Sequence, residues 1–174
     1  MRVVFDIESN GFLDHSSVDY TTSPYSLLDT FKVHCIVAKD IDTGEIYEFV
    51  QDECYSVFPE WSKKVTMWVG HNIINFDMLV LKVALGLDYK IDEVDTFDGR
   101  PCVIWDTMVT SKVLNPDRYG GHSIEAWGKT LGLEKIDWRA KAIECGYITK
   151  DSPPGAEFAQ YSPEMLEYNI RDVE

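Results

Sequence analysis

At 174 residues, with 45% hydrophobic and 13% aromatic side chains, the chain can bury one core of ordinary domain size, and its composition does not suggest disorder. Its 16 basic and 30 acidic side chains leave a formal net charge of -14. That balance argues against tight, autonomous binding to duplex nucleic acid, which needs Lys and Arg against the phosphates. An acidic chain still acts on nucleic acid where metal ions supply the local positive charge.

In chain order, Arg2 to Ile7 is β-branched and aromatic and reads as a strand. Val33 to Lys39 and Glu45 to Val50 follow as strands joined by the turn Asp42-Thr43-Gly44. Pro59 to Lys64 reads as a short helix and Val65 to Val69 as a fourth strand. Phe76, Leu79, Val80, Val83 and Ala84 recur at helical spacing, so Phe76 to Leu85 is an amphipathic helix stopped by Gly86. Cys102 to Trp105 is a fifth strand, and Thr107 to Leu114 a helix ended before Pro116.

Ser123 caps Ile124 to Thr130, with Gly132 just beyond the end, and Asp137 caps Trp138 to Glu144, closed by Gly146. Thr149 to Gly155 is a loop. Ser162 caps a last helix that has Pro163 at its first position. Three strands followed by alternating strands and helices imply an α/β fold, a mixed sheet with helices on its faces. No internal repeat or low-complexity tract interrupts residues 1–174, which are read as a single domain.

The four cysteines, Cys35, Cys54, Cys102 and Cys145, form no C-x-x-C pair. They read as reduced, buried thiols rather than zinc ligands. The opening MRVVFDIES reaches an acidic residue too early for a signal peptide. No uncharged apolar run approaches the ~20 residues of a bilayer span. A soluble, cytoplasmic protein with no membrane partner is expected.

Three short patterns carry chemistry. In Phe5-Asp6-Ile7-Glu8, residues two apart on a strand share a face, so Asp6 and Glu8 project together. Adjacent carboxylates repel, and a divalent cation between them relieves the repulsion. Alone, the pair reads equally as a strand end turning polar at solvent. Tyr168 and Asp172 stand at i, i+4 on one face of the last helix, beside an apolar stripe of Leu166, Ile170 and Val173. Alone, Tyr168 reads as a surface residue.

Third, a strand ends at Gly70, a polar loop His71-Asn72-Ile73-Ile74-Asn75 follows, and Asp77 opens the next helix. There an acid is favoured by the helix dipole, or else it is a ligand delivered at the mouth of the sheet. His71 is a candidate ligand or base, or a hydrogen-bonded structural residue.

Taken together and in this order, FDIES, HNIINFD and Tyr168-Asn169-Ile170-Arg171-Asp172 resemble the motifs of DEDDy-type 3′→5′ exonucleases. The likeness is strongest to the proofreading domain of family A DNA polymerases, particularly those of short-tailed phages. Trp105-Asp106-Thr107-Met108 and GHSIEAWG, residues 121–128, extend the resemblance. It covers the whole chain. In many relatives the second-motif Asn stands four residues before the Asp. Here Asn72 stands five before Asp77, a spacing shared with the phage polymerases. Asp106 matches no primary ligand of the family and reads as a cap.

The resemblance implies a ribonuclease H-like fold with a five-stranded mixed sheet flanked by helices. It implies hydrolysis of the 3′-terminal phosphodiester of single-stranded DNA, releasing 5′-nucleotides, with two divalent ions, Mg²⁺ or Mn²⁺, as cofactors. Asp6, Glu8, Asp77 and Asp172 are the implied metal ligands. Asp6 bridges both ions, Glu8 and Asp172 complete the water-activating site, and Asp77 serves the other. Tyr168, with Glu8, orients the attacking water. His71 and Asn72 fall in the substrate-binding segment, and Phe12 or Leu13 could wedge or stack against the terminal base; either is equally a core residue of the turn.

The chain has no room for a polymerase domain, so the implied partner, besides the 3′ end of single-stranded DNA, is a DNA polymerase domain or subunit. If the chain is phage-encoded, its location is the host cell cytoplasm. Two alternatives remain: an RNA 3′-end trimming exonuclease, and a non-catalytic domain that positions DNA or a partner in a polymerase assembly.

Overall fold

The computed structural model describes residues 1–11, 13, 18–19, 26–27, 31–133 and 135–174, with the backbone alone at 18–19 and 26–27. Five strands form the main sheet: β1 (Arg2–Ser9), β2 (Val33–Asp40), β3 (Ile46–Val50), β4 (Met67–Gly70) and β5 (Val103–Asp106). The spatial order is β5-β4-β1-β2-β3. β1 runs antiparallel to β2, and β2 to β3, whereas β1 with β4 and β4 with β5 are parallel. This is the mixed five-stranded α/β sheet expected, consistent with a ribonuclease H-like fold.

The helices are α1 (Asp52–Ser56), α2 (Phe58–Ser62), α3 (Asp77–Leu85), α4 (Thr107–Leu114), α5 (Ile124–Leu131), α6 (Trp138–Glu144) and α7 (Pro163–Val173). Ser123, Asp137 and Ser162 accept hydrogen bonds from the first-turn N–H groups of α5, α6 and α7, as their residue types dictate. Several small elements were not expected, among them α1 and a second sheet. α1 is one short turn after Gln51, which has a positive φ of 50°. Between α3 and β5, a small three-stranded sheet pairs Tyr89–Lys90, Thr96–Phe97 and Arg100–Pro101.

The period-two alternation of β1 decides where the site lies. Val3, Phe5 and Ile7 are buried in the larger core, with Ile36, Ala38, Phe58, Trp68 and Phe97. Phe5 meets Trp68 edge-on at 4.9 Å, and Trp68 meets Phe97 at 4.8 Å. The opposite face of β1 carries Asp6 and Glu8. In the antiparallel register Asp6 lies across from Val37 and Glu8 from Cys35. Cys35 belongs to a second, smaller core with Trp138, Ala142, Met165 and Tyr168, so α6 and α7 cover the face that bears the carboxylates.

Candidate metal centre

Asp6 and Glu8 are held by the most central strand of the sheet. Its ladder with β2 shifts register only between Glu8 and Ser9, just past the second carboxylate. Glu8 is buried and Asp6 partly so.

Asp77 reaches the same strand from a distant part of the chain. β4 ends at Gly70, where a Cβ would stand 2.2 Å from the Ile73 side chain and 2.9 Å from the Phe5 carbonyl, so only glycine permits so close a turn. The following loop passes through Asn72 at φ 67°. It is held by Asp106, whose carboxylate accepts the N–H groups of Asn72 (3.0 Å) and Ile74 (3.1 Å) while also capping α4 through those of Met108 and Val109. Asp106 is therefore a buried structural clamp. The loop delivers Asp77, 3% exposed, so that its Oδ1 accepts the Ile7 N–H at 3.0 Å, between Asp6 and Glu8 along β1.

α7 supplies the remaining residues. Its buried face is Met165, Tyr168, Asn169 and Val173, and Asn169 Nδ2 lies 3.6 Å from Cys35 Sγ. The apolar stripe of Leu166, Ile170 and Val173 overlaps this face at Val173. Of the three only Val173 is fully buried. On this face Met165 and Tyr168 pack with Cys35, Trp138 and Ala142. Tyr168, 7% exposed, stacks on Trp138 at 5.8 Å, and the Asp172 charge acts on its phenol.

Oxygens of Asp6, Glu8 and Asp172 all lie within 4.8 Å of one another, the one such cluster among the described residues. Asp77 stands outside that set, yet its charge raises the Glu8 pKa and is itself opposed by Asp6. Burial, then the Asp172 charge, pushes the Asp6 carboxyl up to about 7, with Lys135 and a hydrogen bond to Glu8 pulling it back. Burial and the Asp6 charge likewise raise Glu8 and Asp77 well above the usual carboxylate range. Burial raises the Tyr168 phenol, helped by Asp172. Such a donor set is short of positive charge. An all-oxygen set of this kind fits Mg²⁺ or Mn²⁺ rather than a thiolate- or imidazole-seeking metal.

The other expected positions divide. The His71 Nδ1 is 2.9 Å from Thr107 Oγ1, and burial lowers its pKa. His71 does not join the carboxylates but lines a cavity of ≈460 Å³ that also touches Asp172. The other walls of that cavity are mainly α4 and α5, including Leu114, Trp127 and Leu131. Asn72 is tied into the loop, accepting from Asn75 Nδ2 at 2.9 Å. Leu13 is buried in the larger core. Phe12 lies outside the described residues. Sequence reasoning missed Lys135, whose Nζ is 2.6 Å from Asp172 Oδ2 and 4.8 Å from the centre of the Tyr168 ring.

No family model matches the chain. It is 24% identical over 194 aligned residues to the DNA-directed DNA polymerase of Escherichia phage T7 and, equally, to that of Enterobacteria phage T3. The chain resembles a segment of phage DNA polymerases. The match covers 98% of this chain and 25% of each relative, so the chain spans about a quarter of their length. That likeness, running over nearly every residue, supports a DNA polymerase-related domain. Among the described residues, no helix is long and apolar enough to cross a membrane.

Proposed function

We propose that this chain is a 3′→5′ exonuclease domain that removes nucleotides from the 3′ end of single-stranded DNA and serves as the proofreading module of a DNA polymerase domain or subunit. The observation that carries the reading is the convergence of Asp6, Glu8 and Asp172 within 4.8 Å, with Asp77 hydrogen-bonded to the strand between the first two. The alignment with phage polymerases adds the expectation of DNA as substrate.

Asp6, Glu8 and Asp172 would hold one divalent ion, and Asp77 with Asp6 a second. Bound there, the ions would lower the pKa of a water and neutralise the charge on the scissile phosphate. The protein's own groups do the rest. Tyr168, fixed between Trp138 and Asp172, points a phenol at the carboxylates and orients the attacking water together with Glu8. Burial keeps that phenol protonated, so it acts as a hydrogen-bond donor and not as a base. The apolar walls of the adjoining cavity suit the faces of unpaired bases, which stack without regard to sequence.

The test uses 5′-labelled single strands of matched DNA and RNA with Mg²⁺, Mn²⁺ or EDTA. The expected product is a ladder shortened one nucleotide at a time from the 3′ end of DNA, abolished by EDTA. A faster ladder on RNA would favour 3′-end trimming of RNA. Cleavage that persists in EDTA would rule out the metal mechanism.

A further inference from the structure

Lys135, which stands against the carboxylates, follows a tightly closed helix end. Gly132 closes α5 in the left-handed region at φ 73°. The Leu133 N–H donates back to the Gly128 carbonyl at 2.9 Å. The Leu133 carbonyl packs so tightly on Gly128 that a Cβ there would stand 2.3 Å from it. The Lys135 Nζ lies over the Tyr168 ring, 4.8 Å from its centre, and 2.6 Å from Asp172 Oδ2.

The two charged side chains are 27% and 4% exposed, which separates this pair from the solvent-screened pairs elsewhere on the surface. Asp172 is one of three carboxylates that could share a cation. An ammonium bonded to one of them and a divalent ion held by all three both draw on the charge of one carboxylate, Asp172. They also repel across a few ångströms of poorly screened space. Lys135 also has room to move, because it lines both the ≈460 Å³ cavity and another of ≈520 Å³ whose walls include the carboxylates Glu125 and Asp137 as well as Lys129, Ile136 and Trp138.

We propose that Lys135 is a built-in competitor of the divalent cation: it holds Asp172 until the ion displaces it, and so sets the metal concentration at which the centre assembles. The proposal rests on the reading of this cluster as a metal centre. It makes Lys135 a positioning residue acting through Asp172.

The test is Mn²⁺ binding to the whole chain without nucleic acid, followed by the EPR signal of free Mn²⁺. Lys135→Met keeps the apolar stem over Tyr168 and removes the charge. Its Mn²⁺ dissociation constant should be about tenfold lower than that of the wild type. Its melting temperature should fall in EDTA and recover with Mn²⁺. Lys135→Arg keeps the charge and grips a carboxylate with two donors, so it should bind Mn²⁺ no more tightly than the wild type.

Unchanged or weaker binding by Lys135→Met overturns the proposal, whatever its cleavage rate. So does tighter binding by Lys135→Arg, a result that stands even if the Met variant does not fold. Specific binding that is lost in an Asp6→Ala, Glu8→Ala double variant yet unchanged in Lys135→Met overturns the lysine's role alone. Equal uptake by wild type and double variant overturns the metal centre as well.

Discussion

On the sheet side of the cluster, Asp6 and Glu8 are held by the ladder of β1, and Asp77 by the Ile7 N–H; on the helix side, Asp172 stands in the last turn of α7, held by Lys135 and Tyr168. The first arrangement is made of backbone and cannot move without breaking the sheet. The second is made of side chains and can exchange partners. A site that must gain and lose cations gains from this division, because one half stays organised while the other adjusts.

The comparison can be broken from either side. The largest effect is expected at Asp6, which faces both halves. Asp6→Ala should lower single-strand DNA cleavage by about a thousandfold or more at saturating Mg²⁺, with the fold intact by circular dichroism. A loss below tenfold would mean that Asp6 is not the shared ligand.

Next comes the clamp beneath the sheet half. Asp106→Ala strands four N–H groups, at Asn72, Ile74, Met108 and Val109. It should cost about 3 kcal/mol in urea unfolding and displace Asp77, although Asp106 touches no reacting group. Full activity together with lost stability would separate the clamp from the site.

A smaller effect is expected from pH. With divalent ions chelated, Asp6 keeps its proton up to about pH 7, whereas the unfolded chain releases it near the ordinary aspartate value, about 3.9. Between those values the native state binds more protons, so its stability falls as pH rises. Relative to Asp6→Asn, the wild type should lose about 2 kcal/mol between pH 5 and 8 in EDTA, measured by urea midpoints. A difference that stays flat would show that the cluster carries no such strain.

The smallest effect tests the helix half. Tyr168→Phe keeps the stacking on Trp138 and loses only the hydroxyl, and should slow cleavage about tenfold with little change in melting temperature. An unchanged rate would remove the hydroxyl from the chemistry.

The local geometry of both halves was legible in the sequence, because strand alternation aligns Asp6 with Glu8 and helical spacing aligns Tyr168 with Asp172. The cap role of Asp106 was legible for the same reason. Its second task was not, since the N–H groups of Asn72 and Ile74 come within reach only through the parallel pairing of β4 with β5. Taken alone, Tyr168 reads as a surface residue, since helical spacing within α7 does not register the packing of its ring on Trp138. Lys135 carries no pattern at all: it is one lysine in a segment without periodicity, and its nearness to Asp172 and Tyr168 emerges only in the fold.

The most direct measurement is anomalous scattering from crystals of the chain soaked in Mn²⁺. Two peaks about 4 Å apart are predicted, one touching Asp6, Glu8 and Asp172 and the other Asp6 and Asp77. Lys135 should be withdrawn from Asp172. Crystals that take up Mn²⁺ elsewhere and show no peak among these four carboxylates would contradict it.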